Sequence, residues 1–261
     1  MQESLISCIC CTYGRYDILR QAVACFLEQD YQNKELIVVN NHPVPLCIEH
    51  PQIKVYNEAK YLTLGHCRTR SLELASGEFI KIWDDDDLYL PWALTQSMEN
   101  LIKTDRKLFW KPYSSWFWPN RKNMYLTQNW YEASYLVHVD IMRKYGFDRE
   151  GKYENLSWCD EGIQKLEGGV PTTEMGILSH YIYRWGHFNS HVSNGLGGAT
   201  VALRNKYWAE KNIDTGGGHP LERADMGRYW QQLYDHAKLI FQERDITTLK
   251  NKLQSYGYNF K

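Results

Sequence analysis

Short apolar runs and amphipathic stretches alternate along the first hundred residues. Leu5 to Cys11 is an apolar run that ends at the polar turn Thr12-Tyr13-Gly14-Arg15. Ile18, Ala22, Phe26 and Leu27 then recur at helical spacing, and Asn33-Lys34 breaks that helix. Glu35 to Val39 is apolar on both faces, the pattern of a strand in the middle of a parallel sheet covered by helices, and it ends at Asn40-Asn41-His42-Pro43. A third strand fits Ile53 to Tyr56 and a helix fits Leu64 to Ala75, stopped by Ser76-Gly77. Phe79 to Trp83 is a fourth strand and runs straight into Asp84-Asp85-Asp86-Asp87. Pro91 opens another helix through Ile102, at the first-turn position that proline tolerates. Strands alternating with helices predict an α/β layered sheet with right-handed crossovers. Ligands sit at the carboxyl ends of the strands in such sheets, so the polar turns after Cys11, Val39 and Trp83 should converge on one site.

The pattern then changes. Residues 108 to 140 are crowded with Trp and Tyr, and Pro112 and Pro119 break them into short strands. Most of these rings are expected in the core, with Trp116 a candidate for stacking on a ligand. A turn and an acidic stretch follow from Tyr145 to Gly169, and Tyr181 to Ser193 opens as a strand. Gly195-Leu196-Gly197-Gly198 and Gly216-Gly217-Gly218 are connections, the first a candidate lid. Met226, Tyr229, Trp230, Leu233, Ala237, Ile240 and Phe241 give helical spacing, predicting one C-terminal helix between Pro220 and Arg244.

Composition narrows the class. Of 261 residues 43% are hydrophobic and 23% charged, which excludes disorder. Thirty basic against 31 acidic residues give a net charge of -1, so non-specific attraction to nucleic acid is not expected. No run approaches the roughly 20 apolar residues that cross a bilayer. Seven cysteines, odd in number and clustered without a zinc-type spacing, read as buried thiols of an intracellular, reducing compartment.

The aspartate run carries the chemistry. On a loop such a run is solvated charge, but here it caps a buried strand. Carboxylates held together in a cleft repel unless a cation neutralises them, and a hard divalent ion with oxygen ligands does so while leaving positions open for phosphate oxygens. Asp84 and Asp86, one residue apart, can face one region.

These motifs, in this order, resemble the inverting family 2 glycosyltransferases. Ser7-Cys8-Ile9-Cys10-Cys11-Thr12-Tyr13-Gly14-Arg15 resembles the family's opening strand and Thr-Tyr-Asn-Arg turn, and Glu35 to Asn41 its "E-L-I-I-V-D-D" strand. Leu64 to Arg70 resembles its "G-x-x-x-A-R-N" helix, and Asp84 to Pro91 its metal-binding D-x-D segment with a trailing proline. The resemblance implies a GT-A fold, a Rossmann-like mixed sheet flanked by helices with a helical C-terminal tail. It divides the chain into a catalytic domain over 1–200, with a nucleotide-sugar half at 1–95 and an acceptor half at 96–200, and a packed extension over 201–261.

The resemblance also implies roles. Thr12, Tyr13, Arg15, Asn40, Arg68, Asp84 and Asp85 would bind the nucleoside-diphosphate sugar, of uridine type, although the family usually has Asp where this chain has Asn40. Asp86 would hold Mn²⁺ or Mg²⁺, with His187 completing the shell and His191 as runner-up. Gly146-Phe147-Asp148 followed by Trp158-Cys159-Asp160-Glu161 places the catalytic base at Asp160, with Glu161 as the alternative and Trp158 beside it for the acceptor sugar. The expected acceptor is a hydroxyl on a glycan. Rival readings are transfer to hydroxymethylated DNA bases, for which Arg121-Lys122 offers local charge, a nucleotidyltransferase or phosphodiesterase using the same aspartates, and a noncatalytic sugar-binding protein.

Overall fold

The computed structural model describes residues 3–60, 63–103, 108–119, 123–129, 131–147, 178–185, 219–221 and 223–260. Its main sheet begins with β1 (Ile6–Thr12) and β2 (Lys34–Asn40), parallel and in register from Ile6 opposite Lys34 to Thr12 opposite Asn40. β2 is buried along its whole length and β1 nearly so, as strands covered on both faces require. β3 (Leu46–Cys47) is a short side strand, and β4 (Ile53–Asn57) extends the sheet beyond β2. On the other side of β1 lies β5 (Phe79–Ile82), also parallel. α1 (Tyr16–Leu27) and α2 (Leu64–Leu74) are the crossovers, and α2 packs on β1 and β2. Apart from the short β3, which the sequence pattern did not predict, these are the predicted elements, shifted by one or two residues at their ends.

After the aspartates come β6 (Leu88–Tyr89) and α3 (Ala93–Lys103). The aromatic segment then splits as Pro112 and Pro119 predict, into β7 (Phe109–Trp110), β8 (Ser114–Pro119) and β9 (Tyr125–Gln128). β10 (Leu136–His138) adds to β5 in antiparallel sense and carries β7 at the edge, giving the order β4-β2-β1-β5-β10-β7. α4 (Val139–Tyr145) follows. A second sheet, β6-β11-β8-β9, is built around β11 (Tyr181–Trp185), which runs parallel to β8 and antiparallel to β6. β12 (His219–Pro220) pairs with β3.

The single C-terminal helix expected between Pro220 and Arg244 is instead two, α5 (Gly227–Ala237) and α6 (Glu243–Ser255). Helical spacing holds only as far as Ala237. Beyond it Phe241 turns back to pack edge-on against Trp116, 5.3 Å between centroids, while Leu239 and Ile240 face solvent. Trp118 likewise meets Tyr229 of α5, so the tryptophan face of β8 is covered by the C-terminal pair. Tyr256 closes the pair onto the first half: its hydroxyl donates to Asp30 at 2.6 Å, and Asp30 also accepts from Thr95.

Two glycines are fixed by geometry. Gly14 lies at φ +69°, and a Cβ there would come within 2.9 Å of the His42 ring. At Gly77 a Cβ would stand 2.7 Å from Leu5 O, Ser7 N and Ser7 Oγ, because α2 hands over to β5 directly against β1. Glu35 is buried beside this crossing and accepts from Ser7, Ser76 and Lys54. No helix among the described residues is long and apolar enough to cross a membrane.

Candidate active site

Adjacent parallel strands must end near one another, and the turns after β1, β2 and β5 do. Asn41 N–H donates to Thr12 O at 3.0 Å, joining the first two. Thr12 Oγ1 donates to Asp85 Oδ2 at 2.7 Å, joining the first to the third. Arg15 then grips two of the four aspartates. Its Nη2 pairs with Asp85 Oδ1, its Nε donates to Asp85 Oδ2 at 3.3 Å and its Nη1 donates to Asp86 Oδ2 at 2.8 Å. Burial opposes the charge on Arg15, but Asp85 and Asp86 outweigh it and hold the guanidinium protonated. Burial likewise lifts Asp85 to about 6; Arg15 opposes the rise and Asp86 adds to it.

The other two aspartates have different partners. Asp84, the most exposed of the four, accepts from Arg68 Nη2 at 2.8 Å, and Arg68 Nη1 reaches Glu132 at 3.5 Å. Arg68 is thus a buried bridge from α2 to the short 3₁₀ turn Glu132–Ser134. Asp87 is fully buried, accepting the Tyr181 hydroxyl on one oxygen and the Arg184 main-chain N–H, at 2.9 Å, on the other. Burial, with the charges of Asp86 and Asp84, pushes its carboxyl well above the usual range.

Around the second turn, Tyr13 stands edge-on to His42, 5.2 Å between centroids. Asn40 is buried beneath them. Its amide donates to Val44 O and Asn57 Oδ1, both at 2.8 Å, and accepts from His42 N–H, so it braces the 41–46 loop from below. Of the expected site residues, Thr12, Tyr13, Arg15, Asn40, Arg68, Asp84, Asp85 and Asp86 therefore gather at one end of the main sheet. Trp116 lies apart from them, buried with its indole N–H donating to Ser179 O. Asp160, Glu161, Trp158, His187, His191, Arg121, Lys122 and both glycine-rich stretches lie outside the described residues. Sequence reasoning missed Glu132, Asp87, Tyr181 and Arg184. Asp87 lay in the aspartate run, Tyr181 and Arg184 in the stretch read as opening a strand at Tyr181, and Glu132 stood as a charge among aromatic residues, but none of these positions named a partner.

Among the described residues no three His, Cys, Asp or Glu side chains are arranged to hold a metal ion by themselves. The donor chemistry nevertheless fits a hard cation. Carboxylate oxygens are the ligands that hard divalent ions take, and four aspartates crowd this turn, with the guanidinium groups of Arg15 and Arg68 paired to Asp84, Asp85 and Asp86.

The sequence profile described as Glycosyl transferase family 2 matches residues 7–154, more than half of the chain. No curated protein sequence matches significantly. Staphylococcus aureus TarS 1-349 in complex with UDP-GlcNAc superposes with a TM-score of 0.53 at 13% identity, covering 97% of this chain and 80% of that one. The mannosyltransferase PcManGT from Pyrobaculum calidifontis, in complex with GDP-Man and Mn²⁺, superposes with a TM-score of 0.54 at 15% identity, covering 92% of this chain and 65% of that one. At these identities the likeness shows the fold, a GT-A arrangement of mixed sheets flanked by helices.

Proposed function

The chain belongs to glycosyl transferase family 2 and is a glycosyltransferase, and on that premise we propose that it transfers a sugar with inversion, in a metal-dependent reaction, from a nucleoside-diphosphate donor of uridine type to a glycan hydroxyl. The observation that carries the reading is the aspartate turn at the carboxyl end of β5, tied through Thr12 and Arg15 to the turn after β1. Thr12, Tyr13 and Arg15 line the nucleoside side, with Asn40 shaping the loop that carries His42. Arg68, Asp84 and Asp85 stand toward the ribose and diphosphate.

Asp86 would hold the divalent ion, with His187 as a further ligand. When bound, Mn²⁺ or Mg²⁺ supplies Lewis-acid stabilisation to the departing nucleoside diphosphate. The mixed partnership of Asp86 supports this: one carboxylate oxygen meets Arg15, and the residue still reaches the surface at 7% exposure, while Asp85 beside it does not. Asp160 is the base in this reading, taking the proton of the acceptor hydroxyl as that oxygen attacks the anomeric carbon from the face opposite the leaving group. The tail over 201–261 serves as a packed extension, the catalytic half-domains being 1–95 and 96–200. The glycan is the preferred acceptor because the chain has no basic excess for nucleic acid.

The PcManGT complex holds both a nucleoside-diphosphate sugar and Mn²⁺, which supports the same pairing here. The test is calorimetric titration of UDP- and GDP-sugars with and without Mn²⁺, with product analysis. Metal-enhanced binding, release of nucleoside diphosphate and its loss in Asp86→Asn are expected. Release of monophosphate or pyrophosphate, or full metal-assisted binding by Asp86→Asn, would overturn the reading.

A further inference from the structure

A guanidinium is costly to bury, and Arg184 is buried to 1% exposure in the middle of the second sheet. Packing alone would be served better by an apolar side chain, so the destinations of its donors matter. Nε donates to the main-chain carbonyl of Asp86. Nη1 donates to Gln21 Oε1 on α1 at 2.6 Å. The guanidinium carbon lies 5.8 Å from the Tyr229 ring centroid on α5. Its own main-chain N–H and the hydroxyl of Tyr181, three residues earlier on β11, take the two oxygens of Asp87.

The arrangement is reciprocal. β11 holds the side chain of the fourth aspartate, and the side chain of Arg184 holds the backbone of the third. Together they fix the peptide group that follows the Asp86 Cα and the residue beyond it, and through them the direction of the Asp86 carboxylate. A planar fork holds two acceptors at fixed directions from separate nitrogens, whereas an ammonium donates from one atom on a flexible stem. The anchor on α1 is 163 residues away in sequence and in the donor half, so the turn is held between α1 and β11. The chain leaving β11 reaches His187 three residues after Arg184.

We propose that Arg184 is a positioning residue: seated on Gln21 and backed by the Tyr181–Asp87 pair, it orients Asp86 toward the divalent ion. This rests on the reading of Asp86 given above. Asp87 is then the anchor of the quartet and not one of its ligands.

The test measures metal affinity apart from turnover. Arg184→Lys keeps the charge and loses the fork. Gln21→Ala removes only the distant anchor on a partly exposed helix face and serves where the first variant folds poorly. Free Mn²⁺ is followed by electron paramagnetic resonance in the presence of UDP, and UDP binding without metal is followed by calorimetry. Expected are a tenfold or greater weakening of Mn²⁺ by Arg184→Lys, about threefold by Gln21→Ala, and metal-free UDP affinity within twofold of wild type. Unchanged Mn²⁺ affinity in folded variants overturns the proposal, as does an equal loss of metal-free UDP binding, which marks general collapse. Should the wild-type protein itself show no metal-assisted UDP binding, the functional reading falls first and the positioning role with it.

Discussion

Arg15→Met removes the guanidinium shared by Asp85 and Asp86 while keeping much of the side chain's bulk. Asp85 keeps its hydrogen bond from Thr12 but loses its guanidinium partner, at 1% side-chain exposure. Removing one member of a buried ion pair costs about 3–5 kcal/mol. Arg15 is itself 14% exposed, which favours the lower end, about 3 kcal/mol. For a domain of this size each kcal/mol moves the midpoint by roughly 2–4 °C, so a fall of about 6–12 °C is expected. The loss also has a pH signature. Burial already raises Asp85 above the unfolded carboxylate value, and deleting Arg15 raises it further. The folded state then binds more protons than the unfolded one, so stability drops as pH rises from the unfolded value through the folded one. The deficit relative to wild type should therefore be larger at about pH 8 than at about pH 5.5. Scanning calorimetry at both pH values measures it, and added Mn²⁺ should recover more stability in the variant than in wild type, because the ion takes over the missing positive charge. A midpoint within about 2 °C of wild type at both pH values would refute the reasoning, since a carboxylate that buried cannot lose its cation at so little cost.

Three further outcomes follow from other parts of the molecule. Asp160→Asn should lower kcat by about 10²–10⁴-fold with donor affinity unchanged, measured by steady-state kinetics beside calorimetry; near-normal turnover moves the base elsewhere. Gly77→Ala should destabilise by about 3 kcal/mol or more in urea unfolding, because the new methyl meets backbone atoms that cannot yield; a loss below about 1 kcal/mol would show that β1 and β5 separate readily. Glu35→Gln should cost about 1–3 kcal/mol at neutral pH. Burial raises the Glu35 pKa, but hydrogen bonds from Lys54, Ser7 and Ser76 outweigh that and hold it below the ordinary value. Its contribution is therefore complete above the unfolded value of about 4.3 and is lost as pH falls through the folded one, so the two proteins should converge in acid.

Much of the aspartate end of the main sheet was legible because local pattern and sheet geometry decide it. A strand apolar on both faces, such as Glu35 to Val39, has only the interior of a layered sheet to occupy, and its polar end then lies where ligands bind. The aspartate run was visible for the same reason. How its four carboxylates divide was not. Asp87 meets Tyr181 and Arg184, 94 and 97 residues away, and nothing in periodicity encodes that pairing. Glu132 was hidden among aromatic residues whose dominant signal is burial, although a charge between Tyr131 and Ala133 in a largely buried segment is the kind of exception that marks a partnered group. The motif placed Asn40 at this end of the sheet but did not show that its amide also braces Val44, Asn57 and His42. The C-terminal break escaped because neither glycine nor proline marks it; the tertiary seat of Phe241 on Trp116 does.

Asp30 sits at the junction of α1 and β2, and the hydroxyl it accepts belongs to Tyr256, 226 residues further on. During synthesis the main-sheet strands β1, β2 and β5 emerge from the ribosome long before that tyrosine exists. Until then the Asp30 carboxylate lacks the Tyr256 hydroxyl and keeps that of Thr95, and Trp92 lacks the ring that stacks on it. The nascent chain thus carries an unlatched seam through most of its translation, a stage at which chaperones have access to surfaces the finished enzyme conceals.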